Sequence, residues 1–120
     1  MNYRDNFYSK YISTHTAYFS GEVNLANIKK QFPVWQGYFS RFLPKDKNIT
    51  MIDLGCGTGG FVYWLQHIGY QNAAGIDISA EQIAAASQLG IKDIHQADLK
   101  EFLRDKRNFY DVIFMNSVLE

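Results

Sequence analysis

The 120-residue sequence predicts an α/β fold: an open parallel sheet with helices on both of its faces. From residue 49 onward, short apolar runs alternate with segments whose apolar residues recur every three or four positions, the pattern of strands separated by helices. Strands connected in this way pair in parallel through right-handed crossovers. The strand runs are apolar on both sides, as expected when helices cover both faces of a sheet.

Residues 1–48 predict a helical segment that leads into this sheet. Apolar side chains in the range 25–43 are spaced four and three residues apart and describe one helical face. These side chains are Ile28, Phe32, Trp35, Phe39 and Phe42. Because Pro33 lies within the pattern, the helix either starts again there or kinks. We therefore predict a helical lead-in at 1–48 and a sheet domain at 49–120.

The sheet domain contains four predicted strands, at 49–54, 73–78, 93–97 and 111–116. A glycine-rich turn opens the first connecting helix, and Gly69 ends it. The next two helices begin at capping-box-like pairs, in which a polar side chain is followed three residues later by Gln or Glu. The pairs are Ser79 with Gln82 and Asp98 with Glu101.

The composition excludes several classes of function. Twelve basic residues balance twelve acidic ones without a basic block, so we expect no nucleic-acid or membrane partner. The single cysteine, Cys56, allows neither an internal disulfide nor a metal cluster and fits a reducing compartment. The sequence has no secretory signal and no apolar run of membrane-spanning length. We therefore expect a cytoplasmic protein without a metal site.

The turn at 53–60, Asp-Leu-Gly-Cys-Gly-Thr-Gly-Gly, follows a strand and precedes a helix, which is where a parallel sheet can bind a cofactor. Two glycine patterns fit this turn. Gly55, Gly57 and Gly60 fit G-x-G-x-x-G, and Gly55, Gly57 and Gly59 fit G-x-G-x-G. The spacing alone does not distinguish the two patterns. Asp53 at the strand end would repel a pyrophosphate but suits a ligand that carries an ammonium group. Its alternative role is to stabilise the glycine turn by accepting backbone hydrogen bonds.

Two more acids follow the next two strands. Asp77 can accept hydrogen bonds from both hydroxyls of a ribose, and Ser79 already supplies the cap that the following helix needs. Asp98 follows the third strand, where an adenine ring would lie, and could accept a bond from the adenine amino group. As the N-cap of a helix, Asp98 is also explained without a ligand.

Four motifs in order carry a family resemblance: MIDLGCGTGG at 51–60, GIDIS at 75–79, QADL at 96–99 and YDVIFMNSVLE at 110–120. Residues 49–120 resemble the N-terminal half of a class I S-adenosylmethionine-dependent methyltransferase. The resemblance implies a Rossmann-like sheet with strand order 3-2-1-4, truncated after its fourth strand. The lead-in, with FYSKYISTH at 7–15, is also similar to methyltransferases found with bacterial surface-polysaccharide biosynthesis genes.

The resemblance implies a role for each matching residue toward S-adenosylmethionine. The turn would let its backbone approach the methionine portion, while Asp53 orients the turn and the amino group. Asp77 would bind the ribose, and the adenine would lie near the residues that follow the second and third strands. The N-terminal segment would fold over the cofactor and supply lid or substrate contacts. The cofactor set is Asp53, Gly55, Cys56, Gly57, Gly59, Asp77, Ile78, Asp98, Leu99 and Asn116, and the lid set is Tyr8, Tyr11 and His15. The alternative role of His15 is packing in the core or on the surface. Within the cofactor set, Cys56 is interpreted as a small filler between glycines and not as a nucleophile.

The implied activity is methyl transfer from S-adenosylmethionine to a small molecule or a saccharide. Asn116 precedes Ser-Val-Leu and so lacks the Asn-Pro-Pro-aromatic signature of nucleic-acid amine methylation. One alternative is a non-catalytic cofactor-binding or assembly fragment that lacks the acceptor half. A more distant alternative is a nicotinamide-dependent oxidoreductase. The fourth strand, 111–116, would be an unprotected sheet edge, through which we expect self-association.

Overall fold

The computed structural model describes residues 24–106 and 109–115, and the architecture below is that of these residues. They form five helices and four strands in an order that alternates from the first strand onward. The elements are α1 Leu25–Lys29, α2 Phe32–Phe39, β1 Met51–Leu54, α3 Gly60–His67, β2 Ala73–Asp77, α4 Ala80–Leu89, β3 Ile94–Gln96, α5 Leu99–Lys106 and β4 Val112–Phe114. No helix within these residues is both long and apolar enough to cross a lipid bilayer.

The four strands form one parallel sheet in the order β3-β2-β1-β4, which confirms the predicted order. Each strand is shorter than its predicted run because hydrogen bonds outside the ladder replace pairing at the ends. At the amino edge, Thr50 N–H donates to Asp111 Oδ2 over 2.9 Å, and Asp111 N–H donates to the Thr50 carbonyl over 2.9 Å. At the carboxyl edge, the chain leaves β2 and β3 directly into the caps of the next helices.

The lead-in helix starts again near its proline, one of the two predicted outcomes. Pro33 lies in the first turn of α2, where its missing N–H removes no helical hydrogen bond. Phe42 was predicted to share one helical face with Phe39, but it lies beyond the end of α2 and is 74% exposed. The helix ends at Phe39, whose carbonyl accepts from both Phe42 N–H and Leu43 N–H, and this turn directs Leu43 toward the core instead.

Apolar clusters lie on both faces of the sheet, as predicted. On one face, α3 packs its Trp64 and Leu65 against Met51 and Ala73 of the strands. On the opposite face, α5 covers a second cluster formed by Ile52, Leu54 and Ile76. Burial of these side chains fixes the register of the strands, since a shift of one residue would exchange the two faces. The carboxyl ends of β1, β2 and β3 are thereby held side by side.

Candidate functional site

The glycine turn after β1 adopts a backbone that only one of the two predicted spacings explains. Gly55, Gly57 and Gly59 have φ angles of 72°, 63° and 88°, in the left-handed region that favours glycine. Gly60 is not among the residues with positive φ and is the first residue of α3. The conformation therefore requires the G-x-G-x-G spacing, and the fourth glycine serves helix packing instead.

Two glycines allow the turn to lie unusually close to the neighbouring strands. A Cβ on Gly59 would lie 2.7 Å from Ile94 Cδ1. A Cβ on Gly75, in the middle of β2, would lie 2.7 Å from Cys56 Sγ. The site prediction missed Gly75, although a glycine inside a strand indicates a close backbone approach. Both contacts bring the turn down onto the sheet.

Asp77 is the carboxylate that holds the glycine turn. Its Oδ2 accepts from Gly57 N–H and its Oδ1 from Ser79 N–H, each over 2.9 Å. Ser79 Oγ also accepts from Gln82 N–H over 3.3 Å, so α4 receives the predicted cap as well as support from Asp77. Because each carboxylate oxygen has a second lone pair, Asp77 can still accept hydrogen bonds from a ligand.

Asp53 lies in the same buried region but has no such support. Its side chain is 3% exposed, and its Oδ1 has no hydrogen-bond partner among the described residues. The alternative role of Asp53 as the acid that bonds the turn therefore belongs to Asp77. Burial, with a contribution from the negative charge of Asp77, raises the pKa of Asp53 to about 7. Burial also raises the pKa of Asp77, against the opposing effect of its backbone N–H bonds.

These features fit a ligand that combines an ammonium group with a diol. An ammonium beside Asp53 Oδ1 would supply both the missing donor and the missing positive charge. Gly55 and Gly57 are half-buried and present a surface without side chains of their own, which allows a ligand to approach the backbone there. Asp77 lies next to this surface, through its bond to Gly57.

The predicted adenine-side residues lie at the same sheet edge. The Ala97 N–H donates to the Asp77 carbonyl over 3.1 Å, which joins the ends of β3 and β2. Asp98 Oδ1 accepts from Lys100 N–H over 2.9 Å and from Glu101 N–H over 3.3 Å, so Asp98 is the N-cap of α5. Ile78 is half-buried, and Leu99 packs against the cluster beneath α5.

Cys56 belongs to the core on the α3 side of the sheet. Its backbone N–H donates to the Ile76 carbonyl over 2.9 Å, and its side chain packs against Gly75. Burial, together with the charges of Asp53 and Asp77, raises the pKa of the thiol. A buried, protonated thiol agrees with the interpretation of Cys56 as a filler.

Four predicted site residues, Tyr8, Tyr11, His15 and Asn116, lie outside the described residues. One buried polar residue near the turn was not predicted to be part of the site. Gln82 is 7% exposed, and its side-chain amide lies against Gly57. The sequence analysis assigned Gln82 only to a capping box. Because Gln82 lies one helical turn before the buried Ala86, helical periodicity could have indicated that it faces inward.

The chain matches the family described as "Methyltransferase domain" over residues 28–120. An uncharacterised protein of Methanocaldococcus jannaschii is 32% identical over 82 residues, which cover 58% of this chain and 37% of that protein.

Two solved structures are also similar. An S-adenosylmethionine-dependent methyltransferase from Anabaena variabilis shares 16% identity over 78% of this chain and 49% of its own, with a TM-score of 0.51. One from Mesorhizobium loti shares 30% identity over 57% of this chain and 32% of its own, with a TM-score of 0.44. The Anabaena likeness supports the fold. The matches span less than half of the length of each of these proteins.

Proposed function

Because the chain belongs to the methyltransferase-domain family, we propose that it binds S-adenosylmethionine at the carboxyl edge of its sheet and acts in methyl transfer to a small molecule or saccharide. The single observation that carries the cofactor proposal is the buried, unpartnered Oδ1 of Asp53 beside the left-handed glycine turn. S-adenosylmethionine carries an ammonium group, a ribose diol and an adenine amino group. Asp53, Asp77 and Asp98 offer one acceptor to each of them.

In this proposal the bound cofactor supplies a methyl group on a sulfonium, and the chain supplies position and electrostatics. The amides and left-handed backbone of Gly55, Gly57 and Gly59 lie along the methionine portion. Asp53 accepts from its ammonium, in a buried place where a charge-assisted hydrogen bond is strong. The remaining proposed contacts are Asp77 to the ribose, Ile78, Asp98 and Leu99 to the adenine, the backbone of Cys56 to the methionine side, and Asn116 near the transferred methyl.

We also propose that residues 1–48 form a lid over the acceptor side, with Tyr8, Tyr11 and His15 as substrate contacts. The described end of this segment supports the idea by its position. Trp35 stacks edge-on against Phe61 with ring centroids 5.7 Å apart, and a Cβ on Gly60 would lie 3.3 Å from Trp35 Cη2. The segment thus reaches the sheet domain next to the glycine turn. For the location of the protein we propose the cytoplasm, which its single, buried cysteine supports.

Calorimetry with S-adenosylhomocysteine tests the cofactor proposal. We expect the chain to bind this ligand and not NAD. Asp53→Asn should weaken binding by about 10- to 100-fold, because it removes a charged hydrogen-bond acceptor. Asp105→Asn, on the exposed surface of α5, is the matched control and should bind like the unchanged chain.

Binding of NAD alone, or equal affinity in the Asp53 variant, would overturn the proposal. A methyl-transfer assay with sugar and small-molecule acceptors separates an enzyme from a binding fragment. A chain that binds S-adenosylhomocysteine but never forms it from S-adenosylmethionine would favour the non-catalytic alternative.

A further inference from the structure

Gln82 is a buried polar residue whose side chain ends at the glycine turn. It lies in the first turn of α4, and only 7% of it is exposed. Measured from the place that a Cβ on Gly57 would take, its Oε1 is at 3.5 Å and its Nε2 at 3.6 Å. The bond from its backbone N–H to Ser79 Oγ fixes its position on the helix. The carboxamide is therefore directed at the turn, and its polar atoms stay within reach of solvent.

The expected intramolecular partner of this carboxamide is taken by another residue. In a capping box, the Gln82 side chain would accept from Ser79 N–H. Here Ser79 N–H donates to Asp77 Oδ1 instead. Within residues 24–106 and 109–115, the Gln82 carboxamide makes no hydrogen bond. A carboxamide that has no partner in the fold, stays within reach of solvent and lies against the glycine turn is available to a ligand bound there.

Asp77 and Gln82 lie on two sides of Gly57 and offer complementary chemistry. Asp77 contacts the Gly57 N–H, and Gln82 lies against its α-carbon. An ionised carboxylate only accepts hydrogen bonds, whereas a carboxamide also has two donors. A vicinal diol requires both, since its hydroxyl hydrogens need acceptors and its oxygens accept from donors.

We propose that Gln82 is a further cofactor-binding residue, which donates its Nε2–H to the ribose diol that Asp77 accepts from, and that it sets the preference for a ribose bearing both hydroxyls. The inference rests on the proposed S-adenosylmethionine site and adds to it a specificity-determining residue. If Gln82 were purely structural, it would support the glycine turn by packing alone. Removal of its carboxamide would then lower the stability of the fold, whereas in the proposed role it lowers the affinity for a ligand with a ribose diol.

Calorimetry on the 120-residue chain tests this with S-adenosylhomocysteine and its 2′-deoxy and 3′-deoxy analogues. Gln82→Met keeps the length of the side chain and removes the amide. We expect it to bind S-adenosylhomocysteine about three- to tenfold more weakly, as for one neutral hydrogen bond. The variant and the unchanged chain should bind at least one deoxy analogue equally. Gln88→Met, exposed on the same helix, should match the unchanged chain with every ligand.

Thermal unfolding without ligand supplies the second readout. Because the carboxamide has no partner in the unliganded chain, Gln82→Met should leave the melting temperature unchanged or raise it. A marked drop in melting temperature or a failure to fold would overturn the inference, as would unchanged affinity or equal loss for S-adenosylhomocysteine and both analogues. If the unchanged chain binds no S-adenosylhomocysteine, the proposed function itself fails.

Discussion

Two buried carboxyl groups share the site, and the backbone treats them unequally. Asp77 receives N–H bonds from Gly57 and Ser79, which stabilise its negative charge. Asp53 has an unpartnered Oδ1 and less than a twentieth of its surface exposed. The two carboxylates therefore differ in role: Asp77 accepts a hydrogen bond from the glycine turn, whereas Asp53 Oδ1 is available to a ligand. Such an unpaired group costs stability in the free chain.

The cost at Asp53 predicts a dependence of stability on pH. The folded chain keeps the Asp53 proton up to its pKa of about 7, whereas the pKa of an unperturbed aspartate carboxyl is 3.8. Between these values the unfolded chain binds fewer protons, so the free energy of unfolding falls as the pH rises. Above about pH 7, where Asp53 is ionised in the folded chain, the free energy of unfolding is lower by about 4 kcal/mol than at acidic pH.

Asp53→Asn removes this titration, so it should stabilise the free chain at pH 8 by up to about 4 kcal/mol and much less at pH 4. Urea unfolding at a series of pH values measures the difference. Asp105→Asn, at an exposed site, should show no such trend. A loss of stability in the Asp53 variant at pH 8 would contradict the conclusion that the unpaired Asp53 carboxylate destabilises the free chain.

Gly59 and Gly90 separate two reasons for requiring glycine. Both have positive φ, but a Cβ would meet Ile94 at Gly59 and nothing within 4 Å at Gly90. Gly90→Ala should cost about 1–2 kcal/mol from backbone strain alone. Gly59→Ala should cost about 1–3 kcal/mol more, because the core must also move. Urea unfolding compares them, and equal losses would show that the contact with Ile94 is not limiting.

At the scale of the elements, local signals decided where most helices begin. Pro33 places the start of α2, Ser79 caps α4 and Asp98 caps α5, and each signal acts through backbone N–H groups close to it in sequence. Asp98 is the instructive case, because a capping role and an adenine contact were both expected. The observed cap confirms the first role, and the adenine contact stays a prediction.

Variants of Asp98 test the cap separately from the charge. Asp98→Ala should lower the free energy of unfolding by about 1 kcal/mol because α5 loses its N-cap. The free energy of unfolding of Asp98→Asn should stay within a few tenths of a kcal/mol of that of the unchanged chain, since asparagine caps helices about as well as aspartate. Chemical denaturation of both variants decides between them. Equal losses would mean that the negative charge, and not the cap, stabilises the helix.

At the scale of the whole molecule, the sheet has an apolar edge. In the part of the chain that the structure describes, β4 pairs with β1 and has no strand on its other side. Ile113 and Met115 are each 38% exposed along this edge. Unpaired backbone groups beside apolar side chains favour pairing with another chain.

We therefore predict that the 120-residue chain self-associates through β4. Ile113→Lys should shift sedimentation at high concentration toward the monomer, because a charged residue on an edge strand opposes pairing. Val34→Lys, at an exposed apolar position on α2, should leave the association unchanged. A chain that sediments as a monomer at every concentration would show that this edge is not an interface.

The fold class, the caps and the glycine turn could be predicted from the sequence, because they depend on periodicity and on hydrogen bonds between nearby residues. The strand order was predicted through the family resemblance that the four motifs carry. The tertiary structure was needed to show that Asp77 bonds the glycine turn and that Asp53 has an unpartnered oxygen. Asp53, Asp77 and Gln82 come from three elements, and their burial and partners depend on how these elements pack. For the same reason the inward turn of Leu43, the contact of Gly75 with Cys56 and the unpaired amide of Gln82 could not be predicted from the sequence. Each depends on a contact between residues that are distant in sequence or on competition for one donor, as between Asp77 and Gln82 for Ser79 N–H.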